Sequence, residues 1–226
     1  MMKKTPALFD LHHQVLEAWC ALRRTLGIPV PVWSFDYHTD TMAAFRNALP
    51  PPESGAWQQP EMVDFALKTL RHDEHIDWAL RAGMVSEIHL LSFYAPPEAP
   101  AHPAIKVYPA PGFPEQNEAL NQPEMFRPFA AGFLSSEFIH RAFGDDLPPP
   151  DEPYILDIDC DAVLCAAALD LSKLELFGTL AAKAALVTIS RENDWVKLLK
   201  LPGENLSGGE TAEKLCRIID FFAKKI

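Results

Sequence analysis

Two apolar runs each stop in a cluster of aspartates, and that combination leaves few architectures open. Val30-Pro31-Val32-Trp33-Ser34-Phe35 leads into Asp36-Tyr37-His38-Thr39-Asp40, and Tyr154-Ile155-Leu156 leads into Asp157-Ile158-Asp159-Cys160-Asp161. Short apolar runs near proline read as buried strands. Acids at the ends of such strands stand where open α/β sheets bind their ligands, at the carboxyl edge. Carboxylates packed this densely repel one another unless a cation sits among them. A metal is the simplest cation, and the number of acids calls for two.

The rest of the chain supplies the helices and strands of such a fold. Residues 9–26 read as a helix with Asp10 as N-cap, stopped by Gly27. Leu49 to Pro60, with three consecutive prolines, is a loop, and helical patterns follow over Glu61–Leu70 and His75–Ala82. Ser86–Phe93 reads as a strand. The proline-rich stretch Pro96–Pro114 encloses a short strand, Ala104–Tyr108, and has the length of a binding loop or lid. Gly144–Pro153 breaks the chain before the strand bearing Asp157. A helix at Leu171–Lys183, a strand at Ala185–Ser190 and a helix at Glu210–Lys225 follow. The alternation predicts a three-layer α/β/α sandwich with a mostly parallel sheet, in one domain spanning 1–226.

Net charge is −11, which argues against nucleic acid as a partner. No uninterrupted apolar stretch is long enough for a membrane span. Cys20, Cys160, Cys165 and Cys216 show no pairing pattern, so reduced thiols and a cytoplasmic location are expected.

If the strand continues through Asp36-x-His38-x-Asp40, all three side chains share one side. Carboxylate oxygens mixed with imidazole suit Mn2+, with Fe2+ or Zn2+ as alternatives. A turn that caps a following helix accounts for Asp161, but it leaves Asp157 and Asp159 buried and unpaired. The carboxylates of Asp36, Asp40, Asp157 and Asp159, with one hydroxide, balance two divalent cations to within one charge.

In their order the motifs resemble the ureohydrolase group, the superfamily of arginase, agmatinase and the zinc deacetylases. Asp36-Tyr37-His38-Thr39-Asp40 and Leu156-Asp157-Ile158-Asp159 are similar to two arginase strand ends. Leu11-His12-His13-Gln14-Val15-Leu16 resembles the helix start of a small branch that includes the peptide arginases, which convert arginine to ornithine within ribosomally made peptides. The Gly-Gly-Asp-His-Ser stretch of typical arginases, and the Asp-Pro after their second acid cluster, are missing.

The resemblance implies an arginase-like fold and two Mn2+ ions. His12, Asp36, Asp40 and Asp157 would hold one ion; His38, Asp36, Asp157 and Asp159 would hold the other. His13 is the alternative to His12. It further implies a binuclear-manganese hydrolase that cleaves the guanidino group of a peptidyl arginine to ornithine and urea. The implied partner is an arginine-containing precursor peptide, the more so because the chain is short for the group. His75 or His72 fits the proton shuttle of arginases, with Asp159 and Asp161 as other proton donors. Glu192, with Asp194 behind it, fits the acid that pairs with the guanidinium. Glu74 and Asp77 are further candidates for substrate contact. The rival readings are a metal-dependent amide hydrolase or deacetylase, a metal-stabilised binding protein without catalysis, and a two-metal phosphoesterase.

Overall fold

A computed structural model of the chain describes residues 5–50, 59–94, 98–112 and 123–225. Strand β1 (Ala7–Phe9) is followed by a 3-10 turn (His12–Val15), helix α1 (Leu16–Leu26), β2 (Val30–Asp36), α2 (Pro60–Thr69) and α3 (His75–Arg81). Then come β3 (Val85–Ser92), β4 (Ile105–Pro109), α4 (Pro123–Gly132), α5 (Ser136–Phe143) and β5 (Ile155–Asp159). The chain closes with α6 (Glu175–Lys183), β6 (Leu186–Ser190), α7 (Asn193–Leu199) and α8 (Gly208–Ala223).

The six strands form one sheet in the order β1-β6-β5-β2-β3-β4, and every pairing is parallel. From β2 the chain builds β3 and β4 towards one edge, then returns to add β5 and β6 on the other side. The order of strand addition therefore reverses between β2 and β5, where open α/β sheets form their binding crevice. Asp36 ends β2 and Asp159 ends β5. The two acid clusters thus meet at that crevice because of chain topology.

Residue alternation along β2 shows how both faces are filled. Val30 and Val32 join a core with Val15, Leu16, Trp19, Trp78 and Ile88 on the side of α1, α2 and α3. Trp33 and Phe35 join a second core with Phe133, Phe143, Phe177 and Phe222, on the side of α4, α5, α6 and α8. The expected α/β/α sandwich is what the chain forms. Helices α6 and α8 approach so closely at Gly178 that a Cβ there would lie 2.0 Å from the Phe222 ring. Among the described residues no helix is long and apolar enough to cross a membrane, and the four cysteines are unbridged.

Several local expectations need correction. Residues 9–26 are not one helix, because Phe9 belongs to β1 and the turn at 12–15 is 3-10. Asp10 does not cap it. The Gln14 carboxamide oxygen accepts the Asp10 and Leu11 amides, each at 3.1 Å, and the Asp10 carboxylate pairs with Arg191 at 2.6 Å. The helix expected over 171–183 is a 3-10 turn (Leu171–Lys173) followed by α6. Helices α4, α5 and α7 lie where no element was expected; α4 carries an internal proline, Pro128, which hides it from pattern reading. Of the expected loop Leu49–Pro60, residues 51–58 lie outside the described residues, as do Pro96, Pro97 and 113–114 of the expected lid.

Candidate metal centre

Strand β2 ends at Asp36, so strand alternation is not what aligns the first motif. Instead the chain turns. The Asp36 carboxylate accepts the His38 amide at 2.8 Å, and Asp40 adopts the left-handed region, φ 43°. At the end of β5 the Asp159 side chain accepts the Asp161 amide at 3.2 Å and starts a short 3-10 turn. Asp161 in turn accepts the Tyr37 amide at 3.2 Å, which ties the two strand ends together.

His12 stands at the centre of the acids. Its Nδ1 lies 3.1 Å from Asp40, 3.3 Å from Asp159 and 3.4 Å from Asp36, and its Nε2 lies 2.8 Å from Asp157. All five residues are buried. Burial alone would lower the His12 pKa, but the charges of Asp157 and Asp159 hold it well above the ordinary histidine value. His13, half-buried, is held low by burial and by its charged neighbour His12, and lies outside the group of His12, Asp36 and Asp159.

Cross-strand register explains how Asp157 is held. It lies opposite Ser34 on β2 and Thr188 on β6. The Ser34 hydroxyl donates to one oxygen at 2.8 Å and the Thr188 hydroxyl donates to the other at 2.5 Å. These donors and His12 keep Asp157 ionised despite its burial. Ser34 and Thr188 were not foreseen. Each was a polar residue inside an apolar strand run, and that was the available signal.

His38 faces a different acid. Its Nδ1 lies 2.9 Å from Asp161, and the donor atoms of Asp36, His38 and Asp161 lie within 4.8 Å of one another. Burial would lower the His38 pKa, but the hydrogen bond and charge of Asp161 raise it to about 9. The His38 ring packs against Trp195 of α7, centroids 4.9 Å apart.

His75 is buried with its ring 4.5 Å from that of His12. Its Nδ1 donates to the His72 carbonyl at 2.8 Å, leaving Nε2 as the buried, unpartnered nitrogen. Burial and His12 lower its pKa to about 4, so at neutral pH it is an uncharged imidazole with a lone pair at Nε2. His72 is exposed. Glu192, in the left-handed region at φ 40°, accepts the His12 amide at 2.6 Å. Asp194 is exposed. Glu74 binds Arg46 and the Phe45 and Arg71 amides, while Asp77 binds Arg81 and the Ala44 amide. Both therefore pin the segment after β2 to α3.

This donor set fits cations. Asp36 Oδ2 is buried without a hydrogen-bond donor. Burial and the charges of Asp40 and Asp161 raise the Asp36 pKa to about 8, and burial with Asp161 pushes Asp159 well above the ordinary carboxylate range. Buried carboxylates that hold protons near neutrality are a charge surplus that a divalent ion relieves. Three overlapping groups have the spacing of ion ligands: His12, Asp40 and His75; His12, Asp36 and Asp159; and Asp36, His38 and Asp161.

No family model and no curated protein sequence matches the chain. Among solved structures, proclavaminate amidino hydrolase from Streptomyces clavuligerus, of the arginase/ureohydrolase superfamily, superposes with a TM-score of 0.51 at 12% identity. The match covers 96% of this chain and 62% of that one. Formimidoylglutamase from Bacillus subtilis superposes with a TM-score of 0.48 at 12% identity, over 97% of this chain and 60% of that one. The chain thus spans about three fifths of the length of either protein, and what the first comparison establishes is a shared fold.

Proposed function

We propose that the chain hydrolyses a guanidino carbon–nitrogen bond, with peptidyl arginine as substrate and with urea and an ornithine side chain as products. The observation that carries this reading is the convergence of Asp36, Asp40, Asp157 and Asp159 on buried His12 at the sheet crevice. The fold shared with an amidino hydrolase supports it.

In this reading His12, Asp36, Asp40 and Asp157 would hold one Mn2+ ion, and His38, Asp36, Asp157 and Asp159 would hold a second. Asp157 meets His12 at Nε2, the nitrogen opposite the one that faces Asp36, Asp40 and Asp159, and stands outside the three ligand-spaced groups. Such ions would acidify bound water near neutral pH and so supply a hydroxide nucleophile. Metal-binding imidazoles commonly donate their other N–H to a carboxylate. Asp161 serves His38 in that way, at 2.9 Å from Nδ1. Glu192 has one oxygen on the His12 amide and offers the other to the guanidinium, a planar cation that carboxylates recognise well. His75 accepts a proton at Nε2 and returns it to the departing amine, its ring oriented by the His72 carbonyl. The sum of the reaction is water plus a guanidinium, giving an ammonium and urea.

The test is urea release from an arginine-containing peptide with added Mn2+. Wild-type protein is expected to release urea, while Asp36→Asn and His38→Ala are expected to release none. Absence of urea from every arginine donor, with metal bound, removes this reading.

A further inference from the structure

A cavity adjoins the candidate metal centre. It has a volume of ≈ 220 Å3 and is lined by Tyr37, Tyr94, Phe126, Leu164, Leu198 and Leu199, among others. Tyr37 lies between two candidate ligands, Asp36 and His38, and its ring stands 5.0 Å from the His38 ring. Helix α7 bridges the two places. Trp195 packs on His38, and Leu198 and Leu199 follow three and four residues later, on the same helix face. Tyr37 and α7 thus link the candidate ligands to the cavity. Leu198 is 70% exposed. A cavity of about 150 Å3 already takes a benzene molecule.

We infer that this cavity is a subsite for an apolar or aromatic group carried by the substrate beside its guanidinium, such as the side chain next to arginine in a peptide. The inference rests on the reading above and narrows its substrate class. The acids handle the cation, and the cavity rewards an apolar neighbour. Binding energy from such a remote group discriminates between substrates that share the same reacting atoms.

The test compares arginine amide with Nα-benzoyl-arginine amide, using Mn2+-loaded protein. Calorimetry gives affinity, and urea release gives kcat and KM. The benzoyl compound is expected to bind about tenfold more tightly, in line with apolar pocket contacts. Leu198→Asp, at an exposed position, and Leu199→Trp, which fills the hollow, should each abolish that preference. Equal affinity for the two compounds overturns the subsite, and so does a preference that survives both substitutions. A dimer that Leu198→Asp converts to monomer, with the preference intact, also overturns it and assigns the patch to self-association. If neither compound releases urea but the preference appears and Leu198→Asp removes it, the subsite stands and the hydrolytic reading falls.

Discussion

His12 and His89 are both buried, and both lie within reach of acids, but their surroundings differ in kind. His89 sits mid-strand on β3, stacked on Trp33 with ring centroids 4.5 Å apart. Its Nδ1 donates to the Tyr108 hydroxyl at 2.9 Å, Tyr108 donates to Asp146 at 2.9 Å, and Glu87 stands 3.2 Å from Nε2. Two acids share that cluster; His89 Nε2 makes no hydrogen bond, and Glu87 is the acid nearest to it. Around His12, four carboxylates crowd a single imidazole, and Asp36 Oδ2 and His75 Nε2 go without hydrogen bonds. The lesson concerns balance: one imidazole with one acid beside it and another reached through Tyr108 is a strut, whereas four acids around one imidazole in a buried crevice have the chemistry of a receptor for cations.

The contrast breaks most visibly under ligand removal. Asp36→Asn or His12→Ala is expected to weaken Mn2+ binding by more than about a hundredfold, since even outer partners of metal ligands are worth ten- to a hundredfold. His89→Gln should leave Mn2+ binding unchanged. Metal titration followed by elemental analysis reads both, and equal losses at the two histidines would erase the distinction.

A smaller effect sharpens it. Thr188→Val keeps the shape of the side chain but removes the hydroxyl that donates to Asp157. Mn2+ affinity should drop about ten- to a hundredfold while the fold persists. Unchanged affinity would mean that Asp157 needs no fixing.

Acidity separates the two clusters further. In the ion-free protein Asp36 is raised to about 8 and His38 to about 9. Both groups keep protons in the folded chain that the unfolded chain has already released. Their contribution to stability is therefore present at low pH and lost as pH rises, for Asp36 between its ordinary value of 3.8 and about 8, for His38 between 6.5 and about 9. His75, lowered to about 4, acts with the opposite sign but only below its ordinary value of 6.5. The melting temperature without metal should thus decline from pH 7 to pH 9, because the folded chain holds protons there that the unfolded chain has lost, and saturating Mn2+ should flatten the decline. A slope of the opposite sign would contradict the surplus of acid.

The mildest change belongs to the His89 cluster. Tyr108→Phe removes the hydroxyl shared by His89 and Asp146, and about 1 kcal/mol of stability should go with it. Metal affinity should stay as it was, and a calorimetric melt beside a Mn2+ titration checks both halves.

Much of this was legible from residues alone. The strands before Asp36 and Asp157, the alternation with helices and the sandwich all follow from apolar runs and turn residues. His12, Asp36, Asp40, Asp157 and Asp159 were named from their motifs, and they meet. What stayed hidden depends on strand order. Ser34 and Thr188 reach Asp157 only because β2 and β6 flank β5, a fact about register that one strand does not carry. The pairing of His38 with Asp161 likewise depends on how two turns sit after their strands. β1 is three residues long, too short for any periodicity, and α7, with Trp195, is only seven.

That first strand has a consequence for assembly. Phe9 pairs with Ser190, and the Arg191 amide reaches back to the Phe9 carbonyl, so His12 is delivered by a contact between nearly opposite ends of the polypeptide. Closing so long a loop is slow and entropically late. The imidazole at the middle of the acids should therefore be the final piece to arrive during folding, and a refolding chain would acquire tight ion affinity only in its slowest kinetic phase.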